Sequence, residues 1–273
     1  MEGDSWLDYL FAKDLQDVLQ EKEFETNIEK KAYTVDYKVV SAAHAGDEIL
    51  KMIFKFDFVK LVKEKEPDIF ILSGGGNDIL ESKVLSGIIK KTKQEGCKDD
   101  AFIDCYLNKN RRKQRIEIIV ASIKIIATEL QNIYVEENIE KYKNNNFSIP
   151  KNFATIPLFV HGYDYINVKS EQKNCSLLQH IYPGCQWLYP KVKNFPSDIQ
   201  QKIANHLIDE FNIALEKLSR DPDFQDKVFY IKLLNTVGKN DWSAEIHPST
   251  KGFESLANKM HDGIMKELKK KIK

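Results

Sequence analysis

Apolar residues recur at helical spacing over residues 6–23, at Leu7, Leu10, Phe11, Leu15, Val18 and Leu19, and this predicts an amphipathic helix. Tyr33 to Ala43 (YTVDYKVVSAA) is rich in β-formers and reads as a strand. Residues 47–65 return to helical spacing, with Ile49, Leu50, Ile53, Phe54, Phe58, Leu61 and Val62 on one face and Pro67 closing the segment. Asp68 to Ser73 (DIFILS) is a short apolar run ahead of three glycines, as a buried parallel strand is written. Thr155 to Val160 (TIPLFV) and residues 227–234 (KVFYIKLL) repeat that pattern, and helices are predicted at 198–219 and about 249–270. Residues 80–150 interrupt the rhythm. They are lysine-rich and helical in pattern, most clearly over 111–143, with a turn or linker at Lys143 to Pro150, and they read as a helical insertion that forms a lid or an oligomer contact. Residues 163–197 look irregular.

Strands separated by helices imply an α/β fold: a parallel sheet with right-handed crossovers, covered on both faces in a three-layer sandwich. The expectation is a single domain over residues 1–273 with the insertion at about 80–150. In such sheets ligands bind beyond the carboxyl ends of the strands. The chemistry should therefore lie in the loops at 3–5, 45–47, 74–78, 161–165 and 238–247.

Composition narrows the classes. Of 273 residues, 42% are hydrophobic, enough for a full core, and the formal net charge is zero, so a basic nucleic-acid footprint is absent. The basic runs at Lys109 to Arg115 and Lys266 to Lys273 read as solvated helix faces. No run of 18 apolar residues predicts a transmembrane segment, and residues 1–20 do not have the make-up of a signal peptide. The default expectation is a cytoplasmic protein, with a secretory signal upstream as the other option. Cys97, Cys105, Cys175 and Cys185 form no C-x-x-C pair, which argues against zinc; pairing as 97/105 and 175/185 and free buried thiols both fit.

Each loop admits a plain and a chemical reading. Ser5, in Gly3-Asp4-Ser5-Trp6 ahead of the first predicted helix, is either an N-cap or a nucleophile favoured by the helix terminus. Gly46 is either a turn glycine or a backbone N–H brought close to a substrate. Ser73-Gly74-Gly75-Gly76-Asn77-Asp78 is the most specific feature: the glycines allow tight backbone packing, and Asn77 offers a neutral amide donor suited to an oxyanion. The loop is neither a dinucleotide fingerprint nor a P-loop, because Ile79 and the missing Gly-Lys-Ser/Thr break both patterns. Late in the chain His247 lies among acids in Asp241-Trp242-Ser243-Ala244-Glu245-Ile246-His247-Pro248, from where it can reach back to Ser5. His161 and Tyr163 follow a strand and are candidates for lining a substrate pocket, as are Tyr165, Trp187 and Tyr189; a packed core is the rival reading for all of them.

These blocks, in this order, resemble the SGNH (GDSL-type) hydrolase superfamily, with Ser5, Gly46, Asn77 and His247 matching its four centres. The resemblance spans nearly the whole chain. It extends to a bacterial subgroup with GDSW followed by Asp-Tyr, a Gly-Gly-Gly-Asn-Asp loop, His-Gly-Tyr-Asp-Tyr and Trp-x-x-Glu-Ile/Leu-His-Pro, here Asp8-Tyr9, 161–165 and 242–248. The resemblance implies a flavodoxin-like sandwich and an esterase acting on a small-molecule or carbohydrate-linked ester. It implies Ser5 as nucleophile, His247 as base, the N–H groups of Ser5 and Gly46 with the Asn77 amide as oxyanion hole, and no metal or organic cofactor.

Two departures set tests for the structure. The family's acid position, three residues before the histidine, is Ala244; Glu245 and Asp241 are the remaining candidates, and a Ser–His dyad is the third option. Only Met1 and Glu2 precede Gly3, so the first strand is expected to be missing, and the sheet either carries a central gap or its neighbours close up. Both departures also fit a degenerate relative that binds without catalysis.

Overall fold

The structure, a computed structural model, describes residues 1–9, 13–28, 31–80, 82–95, 97, 103–143, 155–168 and 186–272. In chain order the elements are β1 (Glu2–Gly3), α1 (Leu15–Glu21), β2 (Phe24–Ile28), β3 (Lys31–Val35), α2 (Ile49–Lys55), α3 (Asp57–Lys65), β4 (Phe70–Ser73), α4 (Gly76–Leu80) and α5 (Ser82–Ile88). A short 3₁₀ turn (Ile103–Cys105) leads into α6 (Lys109–Lys143), followed by β5 (Leu158–His161), α7 (Tyr189–Val192), α8 (Ser197–Ser219), β6 (Val228–Ile231) and α9 (Thr250–Ile272).

The main sheet runs β1-β4-β5-β6, all parallel, with Gly3 opposite Ser73, Leu72 opposite Val160 and Val160 opposite Tyr230. Its strands are apolar on both faces, as a doubly covered sheet requires: Phe70, Ile71, Leu72, Leu158, Phe159, Val160 and Val228 are all buried. Helices flank it in two groups. α9 packs on α1 and β6, while α6 runs through the other layer against α2, α3, α4 and α8. The three-layer α/β architecture read from the sequence is the one observed.

The first strand differs from expectation. β1 exists but is two residues long, and it does not leave a gap. On one side it pairs with β4; on the other, residues 40–44 run beside it, with Ala42 N donating to Met1 O, His44 N to Gly3 O and the Met1 ammonium to Val40 O. Ladder groups on both sides of this short strand are thereby satisfied. The segment that supplies this partner is the second half of the strand predicted at 33–43. Its first half is instead β3, paired antiparallel with β2 in a separate ribbon.

Helix boundaries also moved for identifiable reasons. The helix predicted over 6–23 is only α1, because Asp14 caps it: its carboxylate accepts from Asp17 N, and Asp17 reaches back to Asp14 N. Leu10 and Phe11 lie outside the described residues. Ser5 therefore sits in a turn, not at a helix N-terminus. The helix predicted over 47–65 is broken into α2 and α3 at Phe56, which adopts a left-handed φ of 53°.

Within the predicted insertion, α6 is part of the body of the fold. Ile119, Ile123, Ile126, Leu130 and Ile133 of α6 are buried in the hydrophobic core, so α6 is a layer helix and not a lid. By length and composition alone Lys109–Val135 is apolar enough to cross a membrane, as the core helix of a globular protein also can be. Cys97 and Cys105 form a disulfide ahead of α6. Cys175, Cys185 and the predicted turn at 144–150 lie outside the described residues.

Candidate active site

Loops from four strand ends converge at one edge of the sheet. The turn after β1 carries Ser5, and His247 arrives from the long loop after β6. Ser5 Oγ and His247 Nε2 are 2.8 Å apart, across 242 residues of sequence. In the neutral imidazole Ser5 Oγ–H donates to Nε2, which leaves the ring proton on Nδ1. Nδ1 is buried and has no hydrogen-bond partner among the described residues. Burial pushes the His247 pKa down to about 3, so the ring is neutral. Tyr9 stacks on the imidazole with ring centroids 4.2 Å apart and 13° between planes. Behind it, Ser243 Oγ donates toward the carbonyls of His247 and Pro248, which fixes the turn that carries the ring.

The two acids expected near His247 are both engaged elsewhere. The fully buried Glu245 carboxylate accepts from the backbone N–H groups of Trp187, Leu188 and Tyr189, and its own carbonyl accepts from Asn167 N. It ties the His247 loop to α7. Asp241 lies 3.3 Å from the Lys251 ammonium, and its carbonyl accepts from Ser249 N. Neither carboxylate is hydrogen-bonded to the ring, so the pairing of either with His247 that the sequence suggested is absent from this geometry.

Asn77 lies in the first turn of α4, just after the glycines of the third loop. Its Nδ2 donates one hydrogen to Asp47 O at 3.1 Å, leaving the second for a ligand. Ser5 and Asn77 line one small cavity of about 20 Å³, with Trp6, Leu80, Tyr163, Ile166 and Ile246 around it. Gly46 is outside that lining, in the exposed turn next to Asp47, where its φ of 82° suits glycine. The glycines of the third loop have separate reasons. Gly75 takes a φ of 102° against Phe211, and a Cβ on Gly76 would lie 2.8 Å from the Tyr163 ring; a Cβ on Gly74 would meet only ordinary contacts.

Buried carboxylates hold these loops in register. Asp4 accepts from Trp6 N, Ser73 Oγ and Tyr163 Oη, and Tyr163 Oη in turn accepts from Gly76 N. Burial raises the Asp4 pKa to about 6, opposed mainly by the Tyr163 hydroxyl. Asp78 accepts from Ile49 N at the start of α2, so the third loop also fastens the second. Burial raises its pKa to about 6 as well. Asp164 accepts from Asn235, Thr236 and Val237 N–H groups and holds the loop after β6.

Of the two proposed pocket residues, Tyr163 lines the cavity by its ring while its hydroxyl is occupied by Asp4. His161 does not line it. It is buried behind Trp6, at a centroid distance of 5.9 Å, and its Nδ1–H donates to Gly162 O. Burial lowers its pKa to about 4. Sequence reasoning named Tyr9 only as part of a motif and passed over Asp4; the signal was present, since both flank the serine in Gly3-Asp4-Ser5-Trp6-Leu7-Asp8-Tyr9. No group of His, Cys, Asp and Glu among the described residues is arranged to hold a metal ion.

No family model and no curated protein matches this chain. Two solved structures are similar to it over 96% of both chains: an extracellular lipase from Streptomyces rimosus, with a TM-score of 0.46 and 11% identity, and phospholipase A1 from Streptomyces albidoflavus, with a TM-score of 0.39 and 12% identity.

Proposed function

We propose that the chain is an SGNH-type serine hydrolase acting on ester bonds through a Ser5–His247 dyad, with the second hydrogen of the Asn77 amide and the backbone N–H of Ser5 receiving the oxyanion, while Gly46 stays outside the cavity as a turn glycine. The observation that carries this reading is the 2.8 Å contact between Ser5 Oγ and a buried, neutral His247 Nε2. Ser5 Oγ attacks the ester carbonyl carbon as its proton passes to Nε2. The carbonyl oxygen becomes the oxyanion. Collapse expels the alcohol, which takes the proton from Nε2 and leaves an acyl-serine. Water then attacks, giving its proton to Nε2, and the acid departs as that proton returns to Ser5 Oγ.

With no carboxylate of the described residues on Nδ1, the imidazolium that forms in each step is supported by less charge than in a full triad, and turnover is correspondingly slower. Stacking on Tyr9 fixes the ring plane that a triad acid would otherwise hold. The same unpartnered Nδ1 favours the second reading, a binding protein that keeps the cleft without turnover.

Covalent labelling with a fluorophosphonate probe separates the two. Labelling of the wild-type chain that is lost in both Ser5→Ala and His247→Ala is the outcome expected of a hydrolase. Absence of labelling in the folded wild-type protein would leave the binding reading standing.

A further inference from the structure

As a base, His247 must carry charge in passing. When the Ser5 hydroxyl proton moves to Nε2 and Oγ closes on the ester carbonyl carbon, the imidazole becomes an imidazolium, and it stays one until the proton leaves with the alcohol. The residue is 4% exposed. Water therefore contributes little to holding that charge, and the protein around the ring must hold it. Glu245 and Asp241 face other partners. Tyr9 lies flat on the imidazole.

The stack is close and nearly parallel, with centroids 4.2 Å apart and 13° between the planes. A cation within about 6 Å over an aromatic face is drawn to the negative charge of the π cloud, more strongly where both are out of water. A neutral imidazole gains little from this. The attraction grows only as the proton arrives, so it lowers the barrier without tightening the complex.

The Tyr9 ring is held from both ends. Its backbone N donates at 2.9 Å to the Asp14 carboxylate that caps α1. Its hydroxyl lies 3.5 Å from Ser243 Oγ. Ser243 directs its own hydrogen to the carbonyls of His247 and Pro248, so the phenol is the donor in that contact. Phe253 of α9 lies beside the ring, at a centroid distance of 6.4 Å.

We propose, resting on the hydrolase reading above, that Tyr9 is a positioning residue acting through His247: its π face holds the transient imidazolium by cation–π attraction, a share of the task that a triad carboxylate performs at Nδ1. The contact is with the face of the ring, so it holds whichever group meets Nδ1.

The test grades the charge of the π face and keeps its shape. The full chain is made with phenylalanine at position 9 carrying zero, one, two or three ring fluorines, each of which withdraws electrons from the face. Hydrolysis of p-nitrophenyl acetate gives kcat and KM, with Ser5→Ala as the background. Where turnover is too slow to read, the rate of fluorophosphonate labelling at Ser5, which passes through the same imidazolium, takes its place. Tyr9→Phe should stay within about 3-fold of wild type, because the face remains. The rate should then fall stepwise with fluorine number, by about 10-fold in total, with KM unchanged. Tyr9→Leu, which removes the face, should lose about 10–30-fold in kcat. A flat fluorine series would overturn the proposal whatever Tyr9→Leu does, because packing alone does not sense ring charge, and it would leave the hydrolase reading intact. A series whose loss lies in KM would do the same. A folded wild-type chain that neither labels at Ser5 nor hydrolyses the ester above the Ser5→Ala background would remove the hydrolase reading itself, and the role of Tyr9 with it.

Discussion

Around Ser5, acids and side-chain amides bind loops to one another and leave the functional groups aimed at a common cavity: Asp4 joins the first and third loops through Tyr163, Asp78 joins the third to α2, and Asn77 joins it to Asp47. Around His247, the acids do the same structural work, but the loop they hold is the one whose histidine would otherwise have used them. Glu245 is consumed by three N–H groups of residues 187–189, and Asp164 from the loop after β5 is consumed by three of residues 235–237. The contrast teaches that an acid two residues from a histidine is not thereby its partner. A buried carboxylate goes where uncompensated backbone donors are concentrated, because each donor left unsatisfied in the interior costs about 1–3 kcal/mol.

The sharpest break of this comparison is at the dyad. Ser5→Ala and His247→Ala should each lower kcat/KM on an ester by at least about 10³-fold, as members of one catalytic unit do, with circular dichroism unchanged. On the other side, Asn77→Ala should cost about 10²-fold, mainly in kcat, because its free hydrogen is used only when the oxyanion forms. Glu245→Gln comes next: less than about 10-fold in kcat, with a loss of about 1–2 kcal/mol in urea unfolding from weakened charge-assisted bonds. A fall of about 10⁴-fold in kcat instead would make Glu245 a triad acid after all.

The pH profile sharpens the same point. His247 has its pKa lowered to about 3 by burial, so the base stays neutral as pH falls from 7, and the acid limb of kcat/KM should lie below pH 5. A limb near pH 6–7 would mean that a carboxylate faces Nδ1 in solution. The smallest effect is expected of Asp241→Asn, within about 3-fold in kcat, since its half-buried carboxylate faces the exposed Lys251 and not the imidazole.

The order of strands and the loops that carry the site were legible because both depend on short-range patterns. Phe70–Ser73, Leu158–His161 and Val228–Ile231 are apolar on both faces, and glycine runs or histidines mark where they end. What was not legible depended on distant partners. Periodicity ran straight through Asp14 and Phe56, where a capping box and a left-handed residue break the helices. Two residues before Gly3 gave no strand signal, because β1 is defined by its neighbours, residues 40–44 and β4, and not by its own length. The destination of Glu245 was invisible for the same reason: its three donors lie 56–58 residues away in a segment that reads as irregular.

Glu245 has one more consequence, which concerns how such a protein can change. Its backbone carbonyl binds Asn167 N while its side chain binds Trp187, Leu188 and Tyr189 N, so one residue closes both ends of the stretch between them. A change at Glu245 would therefore loosen the backbone at residue 167 and at residues 187–189 together, so two distant stretches of the chain share the fate of one side chain.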